Sequence, residues 1–93
     1  MFVYIMANNR PTLYTGVTDS LVRRVQEHKK DKIEGFTKKY QLHKLVYFEV
    51  GETPIAAIIR EKQIKDMNRN EKLKMIHEFN PTFRDVYKDI LKM

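Results

Sequence analysis

No cysteine occurs among the 93 residues of this chain. Disulfides and thiolate metal sites are therefore excluded, and a reducing, cytoplasmic compartment is expected. Glycine and proline are scarce, at three each. No linker, repeat or low-complexity stretch divides the sequence, so one domain over residues 1–93 is expected. No apolar run approaches the roughly 20 residues of a membrane helix. The apolar start, Met1-Phe2-Val3-Tyr4-Ile5-Met6, is short and lacks a basic leader and cleavage site, so it reads as a strand rather than a signal peptide. Acidic residues are the minority charge: 12 Asp and Glu stand against 18 Lys and Arg, a net +6. Such an excess attracts polyanions, of which nucleic acid is the commonest. Hydrophobic residues make up 42% and aromatics 11%, enough for a modest core and too many for a disordered chain.

Phe2 to Met6 reads as a buried strand. Asn8-Asn9-Arg10-Pro11 is turn chemistry, and Thr12 to Thr18 reads as a second strand antiparallel to the first. Asp19 or Ser20 can cap a helix reaching about Lys30, with Leu21, Val22 and Val25 as its apolar side. Lys30 to Tyr40 is polar and basic and predicts a loop with at most one helical turn. Lys44 to Val50 is the clearest strand. Thr53-Pro54 starts a helix that should end near Asp66, with Ile55, Ile58 and Ile59 recurring at helical spacing. Asn70 can open a further helix, which Pro81 should stop, and Asp85 to Leu91 suits a short terminal one. The order is β-β-α-β-α-α: an α+β domain with a small three-stranded antiparallel sheet flanked by helices.

Three pairings stand out. Tyr4 and Tyr14 lie in the two strands of one hairpin, where side chains can meet on one side of the sheet, and Gly16 follows two residues on. Arg24 and His28 are four apart on a helix and share a face. Glu61 sits on the shoulder of an apolar stripe, with Ala57, Ile58 and Ile64 around it. Each has an ordinary reading alone: half-buried tyrosines, a solvated basic face, an acid paired with Lys65. Together they offer what phosphodiester hydrolysis needs. That reaction wants a base for water, a cation for the equatorial oxygens and a Lewis acid for the leaving oxygen.

Val3-Tyr4-Ile5 followed by Leu13-Tyr14-Thr15-Gly16 resembles the paired signature of the GIY-YIG nuclease family. Arg23-Arg24-Val25-Gln26-Glu27-His28 resembles its helix motif, and Arg60-Glu61-Lys62-Gln63-Ile64-Lys65 its metal-binding segment. Asn80-Pro81, with Arg84-Asp85-Val86-Tyr87 beyond, resembles the closing motif of small stand-alone bacterial members, which are similar to the N-terminal domain of excision-repair nucleases. The first signature lacks its glycine, and Thr15 stands where isoleucine is usual.

The resemblance implies a metal-dependent endonuclease acting on nucleic acid, DNA rather than RNA, in repair or processing. It implies Tyr14 as the base or the residue that positions water, Tyr4 assisting, Arg24 stabilising the transition state, His28 helping proton transfer and Glu61 holding one Mg2+ or Mn2+. Nucleic-acid contact is expected at Gly16, Arg23, Lys38, Lys39 and Asn80, the last holding the substrate or the site. Phe36 and Tyr40 interleave with those lysines as stacking rings would. The competing reading is a non-catalytic nucleic-acid-binding module that keeps the fold.

Overall fold

The computed structural model describes Met1–Met93. Strands β1 (Phe2–Ala7), β2 (Leu13–Thr18) and β3 (Lys44–Val50) form one antiparallel sheet in the order β2-β1-β3. β1 is central and apolar throughout because both of its faces are covered. Val3, Ile5 and Ala7 join Val46, Tyr47, Ala57, Ile64 and Ile76 on one face. Tyr4 and Met6 join Leu21, Val25, Leu42, Leu45, Val86 and Ile90 on the other. This is the period-2 alternation of a strand serving two cores at once. A register shift between Ile5 and Met6 lets consecutive Val46 and Tyr47 share one face.

Five helices follow: α1 (Leu21–Lys29), α2 (Phe36–Lys39), α3 (Pro54–Asp66), α4 (Arg69–Phe79) and α5 (Tyr87–Ile90). The order is thus β-β-α-α-β-α-α-α; α2 is the single turn allowed for in the basic segment and α5 the short terminal helix. α3 begins as expected, with Thr53 Oγ1 accepting from Ala56 N at 3.0 Å and proline in the first turn. α4 begins before Asn70. Asn68 and Glu71 form a reciprocal capping box, each side chain accepting from the other's backbone N–H at 2.9 Å. The three-residue spacing of those two side chains decides the start.

The roll of α3 departs from the sequence pattern. Ile55, Ile58 and Ile59 face solvent, while Ala57 and Ile64 are buried and Arg60 and Glu61 half-buried between them. The cause is a close approach at the helix start: a Cβ on Gly51 would lie 2.7 Å from Ala57 Cβ. With Ala57 seated there, residues three, four and seven further on must also face inward. Arg60 then donates through Nε to Glu49 Oε1 at 2.6 Å, and Tyr47 Oη donates to Glu49 Oε2 at 2.5 Å. This network pins α3 to β3 and carries Glu61 with it.

Asn80 closes the fold. It is buried, donates through Nδ2 to Val46 O at 3.1 Å and Arg84 O at 2.7 Å, and accepts from Arg84 N at 3.2 Å. With its amide spent on backbone, it holds the chain after α4 against β3, which fits the second half of the expectation that it holds the substrate or the site.

Candidate active site

The site begins with a missing side chain. Gly16 pairs with Tyr4 across β1 and β2, and a Cβ there would come within 2.7 Å of the Tyr4 ring and hydroxyl. The glycine lets the Tyr4 ring lie over β2. Gly16 is itself buried beneath that ring, so its role is to make room and not to touch nucleic acid. Tyr14, two residues before Gly16, shares its face and is therefore the diagonal neighbour of Tyr4, with ring centroids 6.4 Å apart. The two differ in exposure: Tyr4 is fully buried and Tyr14 half-buried.

α1 brings His28 against both, 5.6 Å from the Tyr4 ring and 5.7 Å from that of Tyr14. His28 Nε2 hydrogen-bonds Tyr4 Oη at 2.8 Å and Nδ1 hydrogen-bonds Thr37 Oγ1 at 3.0 Å. The neutral ring has one donor and one acceptor nitrogen, and both partners are hydroxyls. Tyr4 can donate while Thr37 accepts, or both bonds can reverse with no heavy atom moving. Burial, reinforced by the Arg24 guanidinium and opposed by Glu27, pushes His28 down to about 4. Burial also drives the Tyr4 phenol well above its ordinary value; Tyr14 and Glu61 add to this and Arg24 opposes it. Tyr4 is therefore a proton-holding hydroxyl next to a neutral histidine.

A pH dependence follows. The folded His28 titrates near 4 and the unfolded one near 6.5, so the unfolded chain takes the proton first as pH falls. Stability from this residue is present above about 6.5, declines from there towards 4 and levels off below it. The gap corresponds to about 3 kcal/mol. Urea unfolding of wild type and His28→Gln between pH 7 and pH 4 should show a shallower decline in the variant. Parallel declines would mean that His28 is not buried as a neutral ring.

Arg24, one turn before His28, sits with Nε 3.2 Å from Glu27 Oε1. The N–H is not aimed at that oxygen, and Nε is buried with no hydrogen-bond partner. A buried guanidinium donor without an acceptor suits an anion. Glu61 comes from α3, around the β2 edge. Its side chain is 19% exposed, Oε2 lies 3.4 Å from Lys65 Nζ, and its charge is felt at Tyr4. Lys65 lines a shallow cavity of about 320 Å³ with Tyr14, Phe36 and Lys72. Tyr4, Tyr14 and His28 thus form one cluster, Arg24 and Glu61 are near enough for their charges to be felt at Tyr4, and Tyr14 alone of the five lines the cavity.

The remaining expectations divide. Arg23 is exposed and 3.7 Å from Asp19, and Lys38 is 2.9 Å from Glu34, so both carry a carboxylate neighbour. Lys39 has none and lies 5.4 Å from the centre of the Tyr40 ring. Sequence reasoning named Lys65 only as the helix partner of Glu61 and passed over Thr37 and Lys72, which carry no local signal.

A sequence model of the GIY-YIG catalytic domain matches residues 1–74. The chain belongs to the GIY-YIG family, a nuclease superfamily whose members generally depend on a divalent metal. It is similar to a UPF0213 protein of Syntrophus aciditrophicus (strain SB), 41% identical over 81 residues that cover 86% of this chain and 92% of that one. A UPF0213 protein of Staphylococcus epidermidis is 42% identical over 77 residues, covering 83% and 94%. One of Haloquadratum walsbyi is 36% identical over 77 residues, covering 83% and 86%. No solved structure matches the chain.

Proposed function

We propose that this protein is a metal-dependent endonuclease that hydrolyses nucleic-acid phosphodiester bonds, DNA in preference to RNA, in repair or processing. What supports the reading is the Tyr4–His28–Thr37 hydrogen-bond chain packed against half-buried Tyr14, with the unsatisfied Arg24 donor and the Glu61 charge both felt at Tyr4. The lack of cysteine agrees with a cytoplasmic setting.

Tyr14, the tyrosine open to the surface, orients the attacking water. Where a base is needed, the Tyr14 phenolate takes the proton of that water. Tyr4 keeps its own proton and assists by holding its place against Tyr14 and His28. His28 is neutral above about pH 4, so at neutral pH one ring nitrogen is free to accept from the Tyr4 hydroxyl and hold it in place. Arg24 holds the equatorial phosphate oxygens as their charge grows. Glu61 would hold Mg2+ or Mn2+. Its Oε1 has no protein hydrogen bond, and no three metal-ligating side chains cluster in the molecule, a donor set that suits an ion completed by water and phosphate. Such an ion supplies positive charge at the leaving oxygen.

The test is a panel of labelled duplexes, flaps, junctions and single strands, in DNA and RNA, with Mg2+ or Mn2+ and with EDTA. Metal-dependent nicking of at least one DNA substrate is expected. Salt-sensitive binding with no cleavage of any substrate would favour the non-catalytic module instead.

A further inference from the structure

A second cavity, about 540 Å³, opens between the β1–β2 turn and the segment joining α2 to β3. None of its nine lining residues is acidic, and four are Arg10, Lys39, His43 and Lys44. Elsewhere on the chain, Arg23, Arg24, Lys29, Lys38, Arg60, Lys65 and Arg84 have a carboxylate within ion-pair distance, and the other cations, scattered over the surface, do not. Arg10, Lys39 and Lys44 have none. Lys44 Nζ donates only to Asn9 Oδ1, at 3.2 Å. His43 is the exception in the lining, hydrogen-bonded to Asp31 at 2.9 Å.

The cleft is built without a ligand. Asn8 Oδ1 accepts from Arg10 N at 3.0 Å and Thr12 N at 2.8 Å, which fixes the turn. Asn8 Nδ2 donates to Tyr40 O at 3.0 Å, which fastens that turn to the opposite wall. The volume lies within the roughly 300–1,000 Å³ typical of small-molecule sites. The cleft also neighbours the cavity at Tyr14. Phe36 lines the cavity beside Tyr14, Tyr40 lines the cleft, and their exposed rings pack 4.7 Å apart as a ridge between the two.

We infer that this cleft is a phosphodiester-binding subsite. It takes a backbone phosphate flanking the scissile one, on Arg10, Lys39 and Lys44, after the strand has crossed Phe36 and Tyr40. The inference rests on the nuclease reading for its choice of ligand. Three cations without a carboxylate partner around one cleft attract an anion, and the Phe36–Tyr40 ridge that leads to the Tyr14 cavity makes that anion part of the same strand.

The test is Arg10→Ala/Lys44→Ala, with Lys74→Ala/Lys88→Ala as a control of equal charge change in exposed lysines that line neither cavity. Affinity for a length series of DNA oligonucleotides is read in EDTA across a salt titration, and cleavage is then measured with Mg2+. Each phosphate contact contributes about −0.9 to the slope of log affinity against log salt on duplex DNA. The cleft variant should flatten that slope by about one to two, lose the gain in affinity with oligonucleotide length, and raise KM at least about tenfold with kcat unchanged. An unchanged slope, or equal flattening in the control, would overturn the subsite. Arg10→Ala alone changes one exposed side chain and covers the case in which the double variant does not fold. The binding arm needs no turnover, so a protein that never cleaves defeats the nuclease reading while the slope still decides the cleft.

Discussion

Glu61→Gln is expected to abolish metal-dependent cleavage while leaving the fold unchanged. The amide keeps the shape and one carbonyl oxygen but loses the charge that would hold a hard cation. The loss should exceed the roughly 10²–10³-fold that removing one transition-state donor costs, because the ion itself goes. Stability should barely move: the helix pair with Lys65 contributes only about 0.3–0.5 kcal/mol. Metal-free binding of nucleic acid should be equal or slightly stronger, since a negative charge near the phosphate is gone. Single-turnover cleavage with thermal melting checks this. A Glu61→Gln protein with normal turnover and metal dependence would remove the residue from the mechanism.

Arg24→Ala should slow cleavage by roughly 10²–10³-fold. The fold should survive, since the Arg24–Glu27 pair is one-third exposed on both sides and its Nε–H is unmatched. Arg24→Lys should rescue poorly, because an ammonium lacks the planar fork that grips two phosphate oxygens. A second readout separates this from a general charge effect. The guanidinium helps hold His28 near 4, so in Arg24→Ala the acid limb of the pH–rate profile should move upward, and in Arg24→Lys it should stay. Full activity in Arg24→Lys would reduce Arg24 to a source of background positive potential.

Much of the frame was legible because local chemistry decides it. The Leu45-to-Val50 run marks β3, Thr53-Pro54 marks the start of α3, and Asn8 to Pro11 marks the hairpin turn. The five candidate side chains followed from motif spacing, and the hairpin and α1 place four of them as that spacing implies. The orientation of Glu61 was only half legible. Ile55, Ile58 and Ile59 suggest an inward face, yet the contact of Gly51 with Ala57 rolls the helix so that Arg60 and Glu61 turn in. That contact is tertiary and overrides the apolar pattern. Asn80 was half legible for a related reason: an asparagine before proline has the same local sequence whether its amide meets a ligand or, as here, Val46 and Arg84 backbone. Thr37 and the cleft at Asn8 depend on segments that meet only in the folded chain, so no window of sequence contains them.

The most direct measurement is a Mg2+ titration, starting from EDTA, of cleavage of one labelled DNA substrate by wild type and Glu61→Gln side by side, with the melting curve of each recorded in the same buffers. The expected result is a wild-type rate that rises from zero with Mg2+ and saturates, and a Glu61→Gln protein that melts with wild type and stays inactive throughout. Metal-independent cleavage by wild type, or matching titration curves for the two proteins, would contradict a metal-dependent nuclease site at Tyr14, Arg24, His28 and Glu61.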